Sequence, residues 1–60
     1  MAIEIGNKVA CFNGYQIKEY TVTDIINGYV QIRDDKTHFH KWVTPKEVII
    51  LKQPLESLTN

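Results

Sequence analysis

Apolar and polar residues alternate along most of this chain, and short asparagine–glycine and charged runs break the alternation into segments. Alternation with a period of two places successive side chains on opposite faces of an extended strand. The segment Lys8-Val9-Ala10-Cys11-Phe12 reads as a first strand, with Val9 and Cys11 on one face and Ala10 and Phe12 on the other. Before it, Ile3 and Ile5 alternate with Ala2 and Glu4 as a short edge pairing, and Gly6-Asn7 is a turn. After it, Asn13-Gly14 ends the strand, Tyr15 to Lys18 form a loop, and a second strand begins near Glu19 or Tyr20.

Asn27-Gly28 stands between two runs rich in β-branched and aromatic residues. A two-residue hairpin turn requires positive φ at both central positions, which asparagine followed by glycine tolerates best. The turn sets the register: Ile26 faces Tyr29, Ile25 faces Val30, Asp24 faces Gln31, Thr23 faces Ile32 and Val22 faces Arg33. Ile25, Val30, Thr23 and Ile32 then form a core face. Asp24, Gln31, Arg33, Ile26, Tyr29 and Val22 form a mixed, partly wet face, and a bulge near Val22 would return that valine to the core.

Asp34-Asp35-Lys36 is a polar turn, and Thr37 to Val43 form the fourth strand. Phe39 and Val43 point inward with Lys41 at the rim, whereas His38, His40 and Trp42 point outward. Thr44, Pro45 and Glu47 have the spacing of a capping box around one helical turn. The run Val48-Ile49-Ile50-Leu51 is apolar throughout, as expected of a final strand in a closed sheet.

Strand, loop, long strand, tight turn, strand, tight turn, strand, helical turn, short strand: this order resembles the small barrel of the SH3-like class. The carrying pieces are Gly6-Asn7-Lys8-Val9, the Asn27-Gly28 hairpin and Trp42-Val43-Thr44-Pro45-Lys46-Glu47-Val48. The resemblance implies an all-β fold, a five-stranded SH3-like barrel with one short 3-10 turn before the last strand. The barrel would occupy residues 1–53, with 54–60 a tail that is either disordered or docks on a neighbour through Leu55 and Leu58. The class is one of architecture and does not settle function. The tandem tryptophans of its proline-rich peptide readers are absent, Trp42 being the only tryptophan. Val30-Gln31-Ile32 is similar to a segment of the plasmid-type dihydrofolate reductase but lies one strand earlier and is followed by Arg33 instead of tyrosine. Gly6-Asn7-Lys8-Val9 followed by Gly14 is similar to the lead-in of KOW-type domains. The photosystem I subunit of the class shares the length but needs a basic patch for acidic partners.

Sixty residues make one domain near the lower limit for folding alone, so self-association into a homo-oligomer would add stability. Seven basic and seven acidic residues cancel, so no net field draws the chain to nucleic acid or an anionic membrane. One cysteine, Cys11, excludes an internal disulfide and a four-cysteine metal site, which with the absence of a signal-like start leads to the expectation of a cytoplasmic protein.

His38 and His40, about 7 Å apart on one strand face, are fewer ligands than zinc needs. Cys11 lacks a base and reads as a small buried hydrophobe. No cofactor, metal or catalytic group is expected. The expected partner-binding residues are Tyr29, Trp42, His40, Arg33, Tyr20 and Phe12: aromatics opposite the core face, beside a charge, of the kind found at contact hot spots. The leading expectation is a non-enzymatic adaptor or inhibitor that binds a protein. The alternatives are a KOW-like or Tudor-like nucleic-acid binder using Lys8, Lys36, Lys41 and Arg33 for phosphates, and an enzyme whose site forms only between subunits.

Overall fold

The computed structural model describes residues 3–52. It is all-β: β1 (Lys8–Phe12), β2 (Ile17–Ile26), β3 (Tyr29–Asp34), β4 (His40–Val43), a 3-10 turn (Pro45–Glu47) and β5 (Val48–Lys52). The five strands form one antiparallel sheet in the order β4-β3-β2-β1-β5. Its two edges, β4 and β5, are joined in sequence by the 3-10 turn, with no ladder between them among the described residues. The tail 54–60 lies outside the described residues.

The central hairpin turns at Asn27 (φ 52°) and Gly28 (φ 84°), both left-handed as a primed turn requires. Ile26, Ile25 and Asp24 meet Tyr29, Val30 and Gln31, and then the register shifts. Val22 pairs with Ile32, Thr21 with Arg33 and Tyr20 with Asp34, each one position from the regular register. Thr23 is the extra residue, and its hydroxyl donates to the Gln31 carbonyl at 3.3 Å. The bulge returns Val22 to the core, where it and Ile32 are almost wholly buried. On its other side the Val22 backbone hydrogen-bonds to the lead-in: its N–H donates to the Asn7 carbonyl, and Gly6 N–H donates to its carbonyl, each at 2.9 Å. That pairing buries Asn7, whose Oδ1 accepts the Glu4 N–H at 2.7 Å.

The core is Val9, Cys11, Tyr20, Val22, Val30, Ile32, Val43 and Val48, with Ile3 and Ile50 packed against it. Each aliphatic side chain so buried contributes on the order of 2 kcal/mol. Membership differs from the pattern reading at five places. Ile25 is exposed, because the hairpin tip projects past the core, and Thr23 is only half-buried. Tyr20 is inside, 4% exposed, since the bulge reverses the facing of β2 upstream of it. Phe39 is 65% exposed because β4 begins only at His40. On β5 only Val48 and Ile50 face the core, leaving Ile49 67% exposed on an edge strand.

The late start of β4 has a local cause. The Asp34 carboxylate accepts backbone N–H groups of Lys36 (2.8 Å) and Thr37 (3.1 Å), and its carbonyl accepts the His38 N–H at 2.9 Å. The chain therefore turns through residues 35–39, with His38 left-handed at φ 65°. His38 and His40 consequently do not share a strand. At the 3-10 turn, Glu47 N–H donates to the Thr44 carbonyl at 3.0 Å. The Thr44 hydroxyl donates to the Glu47 carboxylate at 3.3 Å and caps no backbone N–H, so the capping box is not formed.

Candidate functional site

The residues that alternate with buried Val30, Ile32 and Val43 make up the outer face of β2, β3 and β4. Cross-strand pairing arranges them in rows. Ile26 stands opposite Tyr29 at the hairpin tip. Asp24, Gln31 and Trp42 form the next row, and Thr21, Arg33 and His40 the third. Lys8 continues the third row onto β1 opposite Thr21. Neighbours within a row have Cβ atoms about 5 Å apart, and successive rows on one face are about 7 Å apart.

Tyr29 and Trp42 are 56% and 47% exposed and, with Ile26 and Asn27, line an open groove of about 350 Å³. Rings held outward while the aliphatic core is complete without them are groups that the fold itself does not need. The tight turn holds Tyr29 in place through its direct pairing with Ile26, and Trp42 is held by its pairing with Gln31.

Arg33 is half-buried; its Nε is covered by protein and makes no hydrogen bond, and no carboxylate among the described residues forms an ion pair with it. His40 beside it is exposed. The other cations near this face are committed. The Lys8 ammonium binds Asp35 and donates to Thr21 Oγ1 at 3.0 Å, and the Thr21 hydroxyl donates to Asp35 at 2.7 Å. Burial pushes the Asp35 carboxyl up, but the hydrogen bonds from Lys8 and Thr21 and the charges of Lys8 and Arg33 outweigh this and hold it below its ordinary value. Lys41 lies on the opposite face, its ammonium 5.2 Å from the centre of the Tyr20 ring.

A second hollow of about 450 Å³ is lined by Gln16, Ile17, Lys18, Glu19, Asp34, Asp35 and Lys36. Three of its charges are paired: Lys18 and Asp34 form an ion pair at 2.8 Å, and Asp35 pairs with Lys8. The Lys18 hydrogen bond, then the N–H groups of Lys36 and Thr37, hold the Asp34 carboxyl well below the usual carboxylate range; the same carboxylate raises Lys18.

Of the residues expected to bind a partner, Tyr29, Trp42, Arg33 and His40 are brought onto one face, and Tyr20 is removed into the core. Phe12 is exposed but pairs with Ile17 at the start of β2, nine positions from Ile26, or about 30 Å of extended strand. Ile26 and Asn27 line the groove without having been expected there, although the turn register already placed Ile26 against Tyr29. The four cations expected to contact phosphates do not form one surface: Lys8 is paired, Lys41 is on the inner face, and Lys36 is in the turn after β3. Cys11 is buried and its Sγ lies 3.7 Å from the Phe12 carbonyl, a setting in which it packs as a small hydrophobe. No helix among the described residues is long and apolar enough to cross a membrane.

Fold and face together define a small all-β domain with an outward aromatic groove next to a guanidinium that forms no ion pair among the described residues. Comparison with protein-family models, with curated proteins and with solved structures found no match.

Proposed function

We propose that this chain is a binding module of the SH3-like barrel class, a cytoplasmic adaptor or inhibitor without catalytic activity, that captures a protein partner through the Tyr29–Trp42 groove. The carrying observation is the pair of large rings standing outward around an open apolar groove, next to a core that closes without them. Aromatic side chains so placed offer large contact area at low entropic cost and are the usual anchors of contact surfaces. The test is affinity capture from native extract, with and without nuclease, using the native chain and the double variant Tyr29→Ala, Trp42→Ala. The native chain is expected to retain a partner that the variant loses at unchanged circular dichroism. Equal capture by both would refute this surface, and nuclease-sensitive capture would point to nucleic acid instead.

A further inference from the structure

We infer that the partner presents an extended acidic segment along the free edge of β4, with a large apolar side chain against Trp42 and a carboxylate two residues away at Arg33 and His40. This inference rests on the protein-binding reading and adds the chemistry of the bound segment. Three observations carry it.

Among the described residues β4 is hydrogen-bonded in the sheet on one side only, so its outer edge can take an extended strand. His40 and Trp42 are two positions apart on that edge and share the outer face. An extended segment lying alongside has the same repeat, so its residues i and i+2 fall beside Trp42 and His40. The Arg33 charge at this place attracts Asp35 without an ion-pair contact. Arg33 stands directly across from His40 and forms no ion pair among the described residues. A guanidinium and an imidazole N–H set side by side suit a single carboxylate. Asp24, on the same face, is on β2, two strands away from the β4 edge, and its Oδ1 already accepts the Ile25 N–H at 2.8 Å.

The same face suits a polynucleotide less well. A run of phosphates needs several free cations in line, and Lys8, which continues the Arg33 row, is neutralised by Asp35. The other edge, β5, exposes the apolar side chains of Ile49 and Leu51.

The test is selection of short random peptides on the immobilised full chain. A synthetic peptide with phenylalanine and, two residues later, glutamate in a serine–threonine background is then titrated by the fluorescence of Trp42. Enrichment of apolar–x–acidic sequences is expected. Affinity for the synthetic peptide is expected to fall about tenfold or more when its glutamate becomes glutamine, and equally in Arg33→Gln. The peptide change needs no protein variant, so the inference stays testable if Arg33→Gln folds poorly. Selected peptides that lack carboxylates, or that ignore both changes, would overturn it; if they still require Trp42, the protein-binding groove survives. Binding indifferent to Trp42→Ala as well would remove both readings. No enrichment, or Arg33-dependent binding of oligothymidylate in place of peptide, would also overturn the acidic-segment assignment.

Discussion

Arg33 stands directly across the β3–β4 ladder from His40, while its Nε is covered by protein and without a hydrogen-bond acceptor. A covered donor left unpaired costs free energy that an apolar side chain of similar length would not. Arg33→Met is expected to leave the urea unfolding midpoint unchanged or to raise stability by up to about 1 kcal/mol, some attraction to Asp35 being lost in exchange. A loss of several kcal/mol in the urea titration would show that the guanidinium is structural.

Ile32 and Ile25 lie on one face of the hairpin and are still unequal, because the hairpin tip carries Ile25 past the core. Ile32 is fully buried and Ile25 is 37% exposed. Ile32→Ala is expected to cost about 2–5 kcal/mol and, in a domain this small, to leave little folded protein at ambient temperature. Ile25→Ala is expected to cost about 1 kcal/mol or less. Equilibrium denaturation of the two variants side by side reads the difference.

Asp34 ties β2 to the turn that follows β3 through Lys18 and two backbone N–H groups. Its folded-state pKa lies below the unfolded value near 3.8, so its contribution is present above about pH 4 and is lost as pH falls through the depressed native value. Lys18 acts in the opposite sense. Its raised value makes its contribution complete below about 10.5 and lost as pH rises beyond that. Thermal melts of the native chain are expected to show stability falling below pH 4, and Asp34→Asn to be less stable at pH 7 with a flatter acid limb. An identical acid limb in both proteins would place the proton uptake elsewhere.

Gly28 occupies φ 84° with open space where a Cβ would stand. Gly28→Ala therefore meets backbone strain and no clash, and is expected to cost about 1 kcal/mol. Asn27→Gly, at φ 52°, is expected to change stability by a few tenths of a kcal/mol at most. Chemical denaturation distinguishes these from a collapsed hairpin, in which either change would abolish the transition.

β5 leaves Ile49 and Leu51 exposed on an edge strand. Exposed apolar positions on an edge strand pair readily with other chains, and a lysine placed among them is the usual remedy. Ile49→Lys is expected to shift stability by no more than about 0.5 kcal/mol while reducing association at high concentration, as read by light scattering and sedimentation.

Strand number, turn positions and most of the outward set were legible because they depend on neighbours in sequence. Asn27-Gly28 could form only one kind of turn, and from it Ile26, Tyr29 and Gln31 take their partners by counting. Trp42 and Arg33 followed from alternation in the same way. Tyr20 and Phe39 were misplaced for one reason: counting by twos carries through a bulge or an early strand end without registering it. The inserted Thr23 reverses every facing upstream of it, and the Asp34 turn removes Phe39 from β4 before alternation can apply.

By itself the sequence determined the local choices: where the backbone must go left-handed, which segments are extended, and that one charged and two aromatic side chains lie on the face of β3 and β4 away from Val30 and Val43. The tertiary structure decided which apolar residues are buried. The bulge, the pairing of Asn7 with Val22 and the open β4 and β5 edges are all settled by strands distant in sequence competing for the same backbone hydrogen bonds. Asp34 and Asp35 are ion-paired with Lys18 and Lys8, and among the described residues Arg33 acts on Asp35 only through its charge.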